Sequence, residues 1–229
     1  MRRDPMVLGA NVTIPHKLAI IRLLDELAPE VRAVGAVNTI SRRNQQLIGW
    51  NTDGVGFARA LEEAGYDPGA KQVLVLGGGG AARAVVHVLG TRARKIWVAT
   101  RNLEQARLLC RDLNVQAGGP APLGSLSLII RQADLIVNTT PVGLDGKSLL
   151  FPAEWIRSDQ FVFDLLYNPP LTPLVRAAQT QGARGSNGLR MLLHQGLASF
   201  EIWTGKPAPV EAMRMALEQA VHNPGNASR

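Results

Sequence analysis

The run Val73-Leu74-Val75-Leu76, followed by Gly77-Gly78-Gly79-Gly80-Ala81-Ala82, constrains the fold of this chain more than any other stretch. Consecutive apolar residues without alternation suit a strand covered on both faces, as in a parallel sheet flanked by helices. The glycines fit G-x-G-x-x-A, with Gly77, Gly79 and Ala82 at the key places, after a strand and at the start of a helix. Gly77 permits the tight turn, Gly79 lets backbone approach a pyrophosphate, and Ala82 keeps the helix near the sheet. A helix starting at Ala81 offers its free N–H groups to phosphates. The alternative is a glycine-rich turn that holds no ligand.

The same pattern continues. Residues 96–99, 135–137 and 161–163 are further buried strands, and 81–89, 103–113 and 173–181 have helical spacing. Strands alternating with helices predict an α/β unit. Ahead of it, residues 8–13 read as a short strand. Pro15 then opens a helix with Leu18, Ile21 and Leu24 as its stripe. Another short helix follows Pro29. Residues 37–42 and 46–50 form a hairpin around Asn44. Asp53 occupies an N-cap before Phe57, Leu61 and Ala64, and Gly65 ends that helix. After Gly188 a long helix carries Leu189, Leu193, Leu197, Phe200 and Trp203, stopped by Gly205 and Pro207. A last helix presents Val210, Met213 and Leu217, and the polar residues 222–229 read as a fraying end.

Composition limits the function. Apolar residues at 46% and charged residues at 19% place the body of the chain among folded domains. The net charge of +7 raises nucleic acid as a partner, but the basic residues are scattered with little aromatic interleaving. A basic enzyme with anionic small-molecule ligands is the better reading, with no nucleic-acid partner expected. One cysteine, Cys110, excludes an internal disulfide framework, fits a reducing compartment and reads as a buried helix residue. No signal peptide or apolar run long enough for a membrane span is visible, so the expected location is the cytoplasm.

The second strand ends Val98-Ala99-Thr100-Arg101. An NAD enzyme usually places an acid about 20 residues after the glycine loop, on the ribose hydroxyls. Here there is none, and Arg101 suits the additional phosphate of NADP. A solvated surface arginine is the alternative.

Seven stretches together resemble the shikimate dehydrogenase family: Asn11-Val12-Thr13-Ile14-Pro15-His16-Lys17, Gly35-Ala36-Val37-Asn38-Thr39, Gly49-Trp50-Asn51-Thr52-Asp53-Gly54, the glycine loop, Asn138-Thr139-Thr140-Pro141-Val142-Gly143, Asp164-Leu165-Leu166-Tyr167-Asn168-Pro169 and Gly188-Leu189-Arg190-Met191-Leu192-Leu193-His194-Gln195. Their order makes the set far more specific than any one of them. The resemblance implies NADP-dependent, metal-free, reversible reduction of 3-dehydroshikimate to shikimate, with NAD use or a quinate/shikimate specificity as the variant. It implies Lys17 and Asp53 as the catalytic pair. Taken alone, Lys17 reads as a surface lysine and Asp53 as a plain cap. The chemistry agrees with the resemblance: hydride delivery to a ketone builds negative charge on oxygen, which a protonated lysine stabilises and a carboxylate orients. A close pair titrates as a unit, so acid and base stay unassigned between them.

By the same resemblance Asn11, Thr13, Asn38, Tyr167 and Gln195 contact the substrate. Spacing puts Gln195, Leu192 and Ser199 on a helix face opposite the leucine stripe. The cofactor set is Gly77, Gly78, Gly79, Gly80, Ala81, Ala82, Thr100, Arg101, Asn102, Thr139, Gly143, Gly188 and Met191. His16 and His194 are read as bystanders. Two features depart from the family. Gln105 stands about where many NADP-linked relatives carry a further arginine. Relatives usually also begin with a strand–helix–strand segment whose Ser-x-Ser or Ser-x-Thr hydroxyls hold the substrate carboxylate. The sequence starts just ahead of Asn11, so a shortened substrate domain is expected, with good NADP(H) binding and poor turnover. The predicted architecture is two α/β domains. Residues 53–188 form a Rossmann-like nucleotide domain; residues 1–52 with 189–229 form a smaller, truncated substrate domain. A catalytically silent nucleotide-binding relative is the rival reading, and a homodimer is left open.

Overall fold

The computed structural model describes residues 1, 2, 4 and 6–222. The end of the stretch read as fraying, 223–229, lies outside the described residues. Two sheets organise the chain. The smaller has four strands, β1 (Gly9–Asn11), β2 (Glu26–Leu27), β3 (Thr39–Arg43) and β4 (Gln46–Trp50), in the order β1-β3-β4-β2. β3 and β4 form the expected hairpin, with Arg43 opposite Gln46. The two turn residues, Asn44 and Gln45, have φ of 48° and 72°, the backbone that a two-residue hairpin turn demands. Helix α1 (Pro29–Val34) packs Val31 beside Ala28, Val37 and Ile40 in a small core.

The helix expected from Pro15 does not form. Residues 14–18 turn, and only a 3-10 turn follows at Ala19–Leu23. The reason is where the backbone bonds go. The carbonyl of Lys17, which a helix would keep for residue 21, instead accepts the Val37 N–H at 2.8 Å. The stripe is correspondingly incomplete: Ile21 and Leu24 join the small core, whereas Leu18 is exposed.

The larger sheet has six parallel strands, β5 (Gln72–Leu76), β6 (Lys95–Ala99), β7 (Gly118–Ala121), β8 (Leu135–Asn138), β9 (Phe161–Asp164) and β10 (Arg184–Ser186), in the order β10-β9-β8-β5-β6-β7. The helices are α2 (Asp53–Glu63), α3 (Gly80–Gly90), α4 (Leu103–Asp112), α5 (Leu126–Gln132), α6 (Pro173–Thr180), α7 (Leu189–Thr204) and α8 (Val210–His222). Alternate residues of β5 feed opposite layers. Val73 and Val75 meet Phe57, Val85, Leu89 and Leu109, and Leu74 and Leu76 meet Trp97, Ile130, Ile136 and Leu174. Burial on both faces explains the unbroken apolar runs. The expected α/β architecture, a Rossmann-like parallel sheet beside a smaller mixed one, is what the chain adopts.

The outermost strands, β7 and β10, and the helix α5 are not legible in the sequence. β7 reads Gly-Gly-Pro-Ala and β10 Arg-Gly-Ser. Proline is tolerated there because β7 is an edge. The chain runs from β5 outward through β6 to β7, then returns to β8 and goes the other way. That reversal opens a crevice beyond the carboxyl ends of β5 and β8, the usual ligand position in such sheets. Helices α2 and α7 pack together beside it.

Candidate active site

Lys17 lies in the turn after β1, and its carbonyl bond to Val37 holds that turn in place. Its stem crosses the glycine loop, where a Cβ on Gly80 would lie 2.7 Å from the Lys17 Cβ. The ammonium reaches Asp53 Oδ2 at 2.7 Å, with side-chain exposures of 16% and 2%. Asp53 is not the cap that its position suggests. Thr52 is the cap residue and makes no side-chain cap bond, while Asp53 is in the first turn of α2. Both carboxylate oxygens are engaged elsewhere: Oδ2 by Lys17, and Oδ1 by the Asn38 amide at 3.0 Å. The nearest side-chain help for the helix start is Asn51 Oδ1, which accepts the Gly54 N–H at 3.4 Å.

Asn38 is the hub behind this pair. Its amide nitrogen also donates toward Thr52 Oγ1 and Gln195 Oε1, each at 2.8 Å. Its carbonyl oxygen accepts the Thr52 N–H at 2.8 Å and the Thr39 hydroxyl at 3.1 Å. Thr39 and Ser199 hydroxyls lie 2.8 Å apart, and the Asn11 amide donates to Ser199 Oγ at 3.3 Å. Ser199 in turn donates to the Gln195 carbonyl at 2.9 Å. One network therefore ties β1, β3, α2 and α7 around the carboxylate of Asp53. Thr39 and Thr52 were not singled out by sequence reasoning. Their signal was adjacency to Asn38 and Asp53; that of Ser199 was its place one turn beyond Gln195.

A cleft of about 400 Å³ opens in front of the pair. Thr13, Lys17, Asp53, Ala81, Thr139, Thr140, Tyr167, Gly188, Met191 and Gln195 are among the residues that line it. Neither Asn11, which is exposed, nor Asn38, which is buried, lines it. Gly143 is buried beside Leu166, outside the lining. The wall near Thr139 depends on two residues whose roles were also missed. Asn138 donates to Asp164 Oδ1 at 2.9 Å and accepts from Thr140 N–H at 2.9 Å. Burial pushes the Asp164 carboxyl above its ordinary value, outweighing the hydrogen bonds that it accepts.

The glycine loop fits a dinucleotide. Gly77 has φ of 113°, and a Cβ there would lie 2.3 Å from Thr139 Oγ1. At Gly79 a Cβ would meet nothing within 4 Å, so the space before α3 is open. Gly79 is the cap residue of α3 and no side chain caps it, leaving its first N–H groups facing that space. At the far end, Arg101 is exposed without an ion-pair partner among the described residues. The Asn102 side chain caps α4 by accepting the Glu104 and Gln105 N–H groups. Thr100 donates to Gln105 Oε1 at 3.4 Å, and Gln105 donates to the Gly78 carbonyl at 3.0 Å.

The bystander residues lie apart from this machinery. His194 faces Glu63 of α2 at 3.0 Å and does not line the cleft, and His16 is exposed. Cys110 is buried on α4, where burial pushes its thiol up to about 11. No helix among the described residues is long and apolar enough to cross a membrane.

Comparison with known proteins matches three consecutive family profiles. Residues 1–40 match the shikimate dehydrogenase substrate binding domain, 60–155 match shikimate / quinate 5-dehydrogenase, and 188–218 match the shikimate 5'-dehydrogenase C-terminal domain. The chain is similar to the shikimate dehydrogenase (NADP(+)) of Moorella thermoacetica, with 45% identity over 222 residues, 93% of this chain and 75% of that protein. Its structure resembles shikimate 5-dehydrogenase from Thermus thermophilus in complex with NADP(H) and shikimate. The TM-score is 0.82 with 36% identity, covering 96% of this chain and 80% of that one. It also resembles quinate dehydrogenase from Corynebacterium glutamicum in complex with NAD, at a TM-score of 0.85 and 31% identity, over 93% and 78% of the two chains. Ordered matches along the chain, high identity to several relatives and a common fold lead to one statement: this chain belongs to the shikimate dehydrogenase family.

Proposed function

We propose that this chain is an NADP-dependent shikimate dehydrogenase, reducing 3-dehydroshikimate reversibly to shikimate. The observation that carries the reading is the Lys17–Asp53 pair, 2.7 Å apart, on the wall of a cleft that also contains the start of α3. The relatives named NADP(+) shikimate dehydrogenase, and the related structure with NADP(H) and shikimate bound, supply the substrate and cofactor. In this reading residues 53–188 serve the nucleotide, and residues 1–52 with the terminal helices serve the substrate.

NADPH, when bound, supplies the hydride. The first N–H groups of α3, with Gly77 to Ala82 as the cradle, would hold its pyrophosphate, and Arg101 would take the 2'-phosphate. Thr100 and Asn102 would flank the adenosine end, and Thr139, Gly188 and Met191 would shape the nicotinamide end. Lys17 faces the substrate ketone. Its ammonium stabilises the negative charge that develops on oxygen and passes it a proton. Asp53 orients the ammonium, and Asn38 holds the other carboxylate oxygen. Thr13, Gln195 and Tyr167 line the cleft for the substrate, Asn38 braces Gln195, and Asn11 braces Ser199 on the same helix. Unpaired buried polar groups are costly, so such a site selects a polyhydroxy acid over one lacking a hydroxyl.

The test is direct. NADPH oxidation is followed with 3-dehydroshikimate or 3-dehydroquinate as substrate, and again with NADH. Preferred turnover of 3-dehydroshikimate with NADPH is expected. Cofactor binding without turnover of either acid would instead favour a silent relative.

A further inference from the structure

Arg83 lies on α3, one turn beyond the glycine loop, and makes no hydrogen bond or ion pair with Lys17 or Asp53. Its side chain is only 12% exposed. Nε donates to the Val34 carbonyl at 2.7 Å, at the end of α1, and Nη2 donates to Asp112 Oδ2 at 3.1 Å, at the end of α4. The guanidinium therefore bridges the junction between the two sheets' helices. Val34, Ala36 and Ala84 form a small buried cluster at the same junction. Gly35, which follows Val34, is left-handed with φ of 71°, and a Cβ there would stand 2.8 Å from Arg83 Nη2. Only glycine meets both conditions without strain or displacement. Burial raises the Asp112 carboxyl, but its hydrogen bonds from Arg83 and Arg111 hold it below the usual carboxylate range. It therefore remains an anionic partner at neutral pH.

From this junction the chain leads straight to the site. Val37 N–H holds the Lys17 carbonyl at 2.8 Å, and the Asn38 amide holds Asp53 and Gln195. Lys17 also packs against Gly80, on the same helix as Arg83. We infer that Arg83 is a positioning residue for the reduction: it keys the 34–38 segment to α3 and α4, which sets Lys17 and Asn38 at a fixed distance from the nucleotide cradle. The inference rests on the proposed function for its kinetic consequence. A helix-ending contact alone would affect stability and leave the hydride step of the folded enzyme unchanged.

The experiment compares the wild type with R83A and R83K. Lysine keeps the charge but loses the planar fork that reaches two acceptors. In R83A, kcat should fall by about tenfold to a hundredfold, the scale of a small misplacement of reacting groups. R83K should be impaired in the same direction. NADPH dissociation constants should stay unchanged, because the cradle itself is intact. The primary isotope effect on kcat with deuterated NADPH should rise as hydride transfer becomes slower. Amide exchange at Gly35 and Val37 should accelerate in R83A while β5 keeps its protection. Activity lost only in proportion to the folded fraction, with the isotope effect unchanged, overturns the inference. If the wild type turns over no 3-dehydroshikimate, the proposed function fails, and exchange alone decides this point. Unaltered exchange at Gly35 and Val37 then overturns it, and local acceleration supports it.

Discussion

Two buried carboxylates in this molecule have different partners. Asp53 has a cation and an amide on its two oxygens, whereas Asp164 receives only neutral donors within the core. Removing the cation side of the first pair tests the chemistry. Lys17→Ala should lower kcat by about 10²–10⁴-fold, the usual contribution of a positioned acid–base group, with little change in NADPH affinity. Steady-state kinetics beside a fluorescence titration of the cofactor separates the two, and near-normal turnover would sink the mechanism. Asp164 makes a pH prediction. Its folded-state carboxyl is raised above the ordinary value, so between those two values the folded protein binds more protons than the unfolded chain. Stability then falls as pH climbs through that window. Asp164→Asn cannot ionise, so its melting temperature relative to wild type should improve as the pH rises above the ordinary carboxylate range. A difference that stays flat over that rise contradicts the assignment.

At the scale of elements, the start of α7 is a tightly specified junction. A Cβ on Gly188 would fall 2.0 Å from the Leu165 carbonyl oxygen, and backbone cannot yield as a flexible side chain does. The Gly188 N–H also bonds the Leu166 carbonyl at 2.9 Å, so helix and loop are locked together. Gly188→Ala should destabilise the fold by about 1–3 kcal/mol through overpacking. Because the same loop carries Tyr167 into the cleft wall, kcat/KM should fall as well. Urea melts and steady-state kinetics check both, and an unchanged melting midpoint refutes the close-approach argument. Elements also differ in how readable they are. The β3–β4 hairpin and the long α7 carry their own periodicity and stop signals. The segment after Pro15 looks helical by the same criteria, yet a single long-range bond from Val37 claims its carbonyl.

For the whole molecule, ligand and fold are coupled through the cleft. A ligand that binds only the folded state adds about 2.7 kcal/mol at a hundred times its dissociation constant. In a chain of this size each kcal/mol moves the melting temperature by about 2–4 °C. Saturating NADP+ should therefore produce a clear upward shift. Arg101→Ala should shrink that shift for NADP+ much more than for NAD+ at the same concentration, because only NADP+ carries the phosphate for the guanidinium. Differential scanning fluorimetry reads both, and equal losses for the two cofactors count against Arg101 as the discriminating contact.

Local sequence by itself determined the parallel sheet, the glycine loop, the hairpin and the order of the motifs. Each of these is written in periodicity, in glycines at strand–helix junctions and in turn residues. Tertiary structure alone decided the rest. Strands β7 and β10 exist because β6 and β9 offer them partners, and Gly-Gly-Pro-Ala or Arg-Gly-Ser has no strand pattern of its own. Asp53 is locally a helix start, and only Lys17 and Asn38, brought to it across the fold, turn its carboxylate toward the cleft. Thr39, Thr52 and Ser199 are ordinary hydroxyls in the sequence, yet they close one network because β3, α2 and α7 converge. The bridge from Arg83 to Val34 joins residues 49 apart in the chain. Periodicity reports which face of an element is buried, but not which distant backbone group a side chain will meet there.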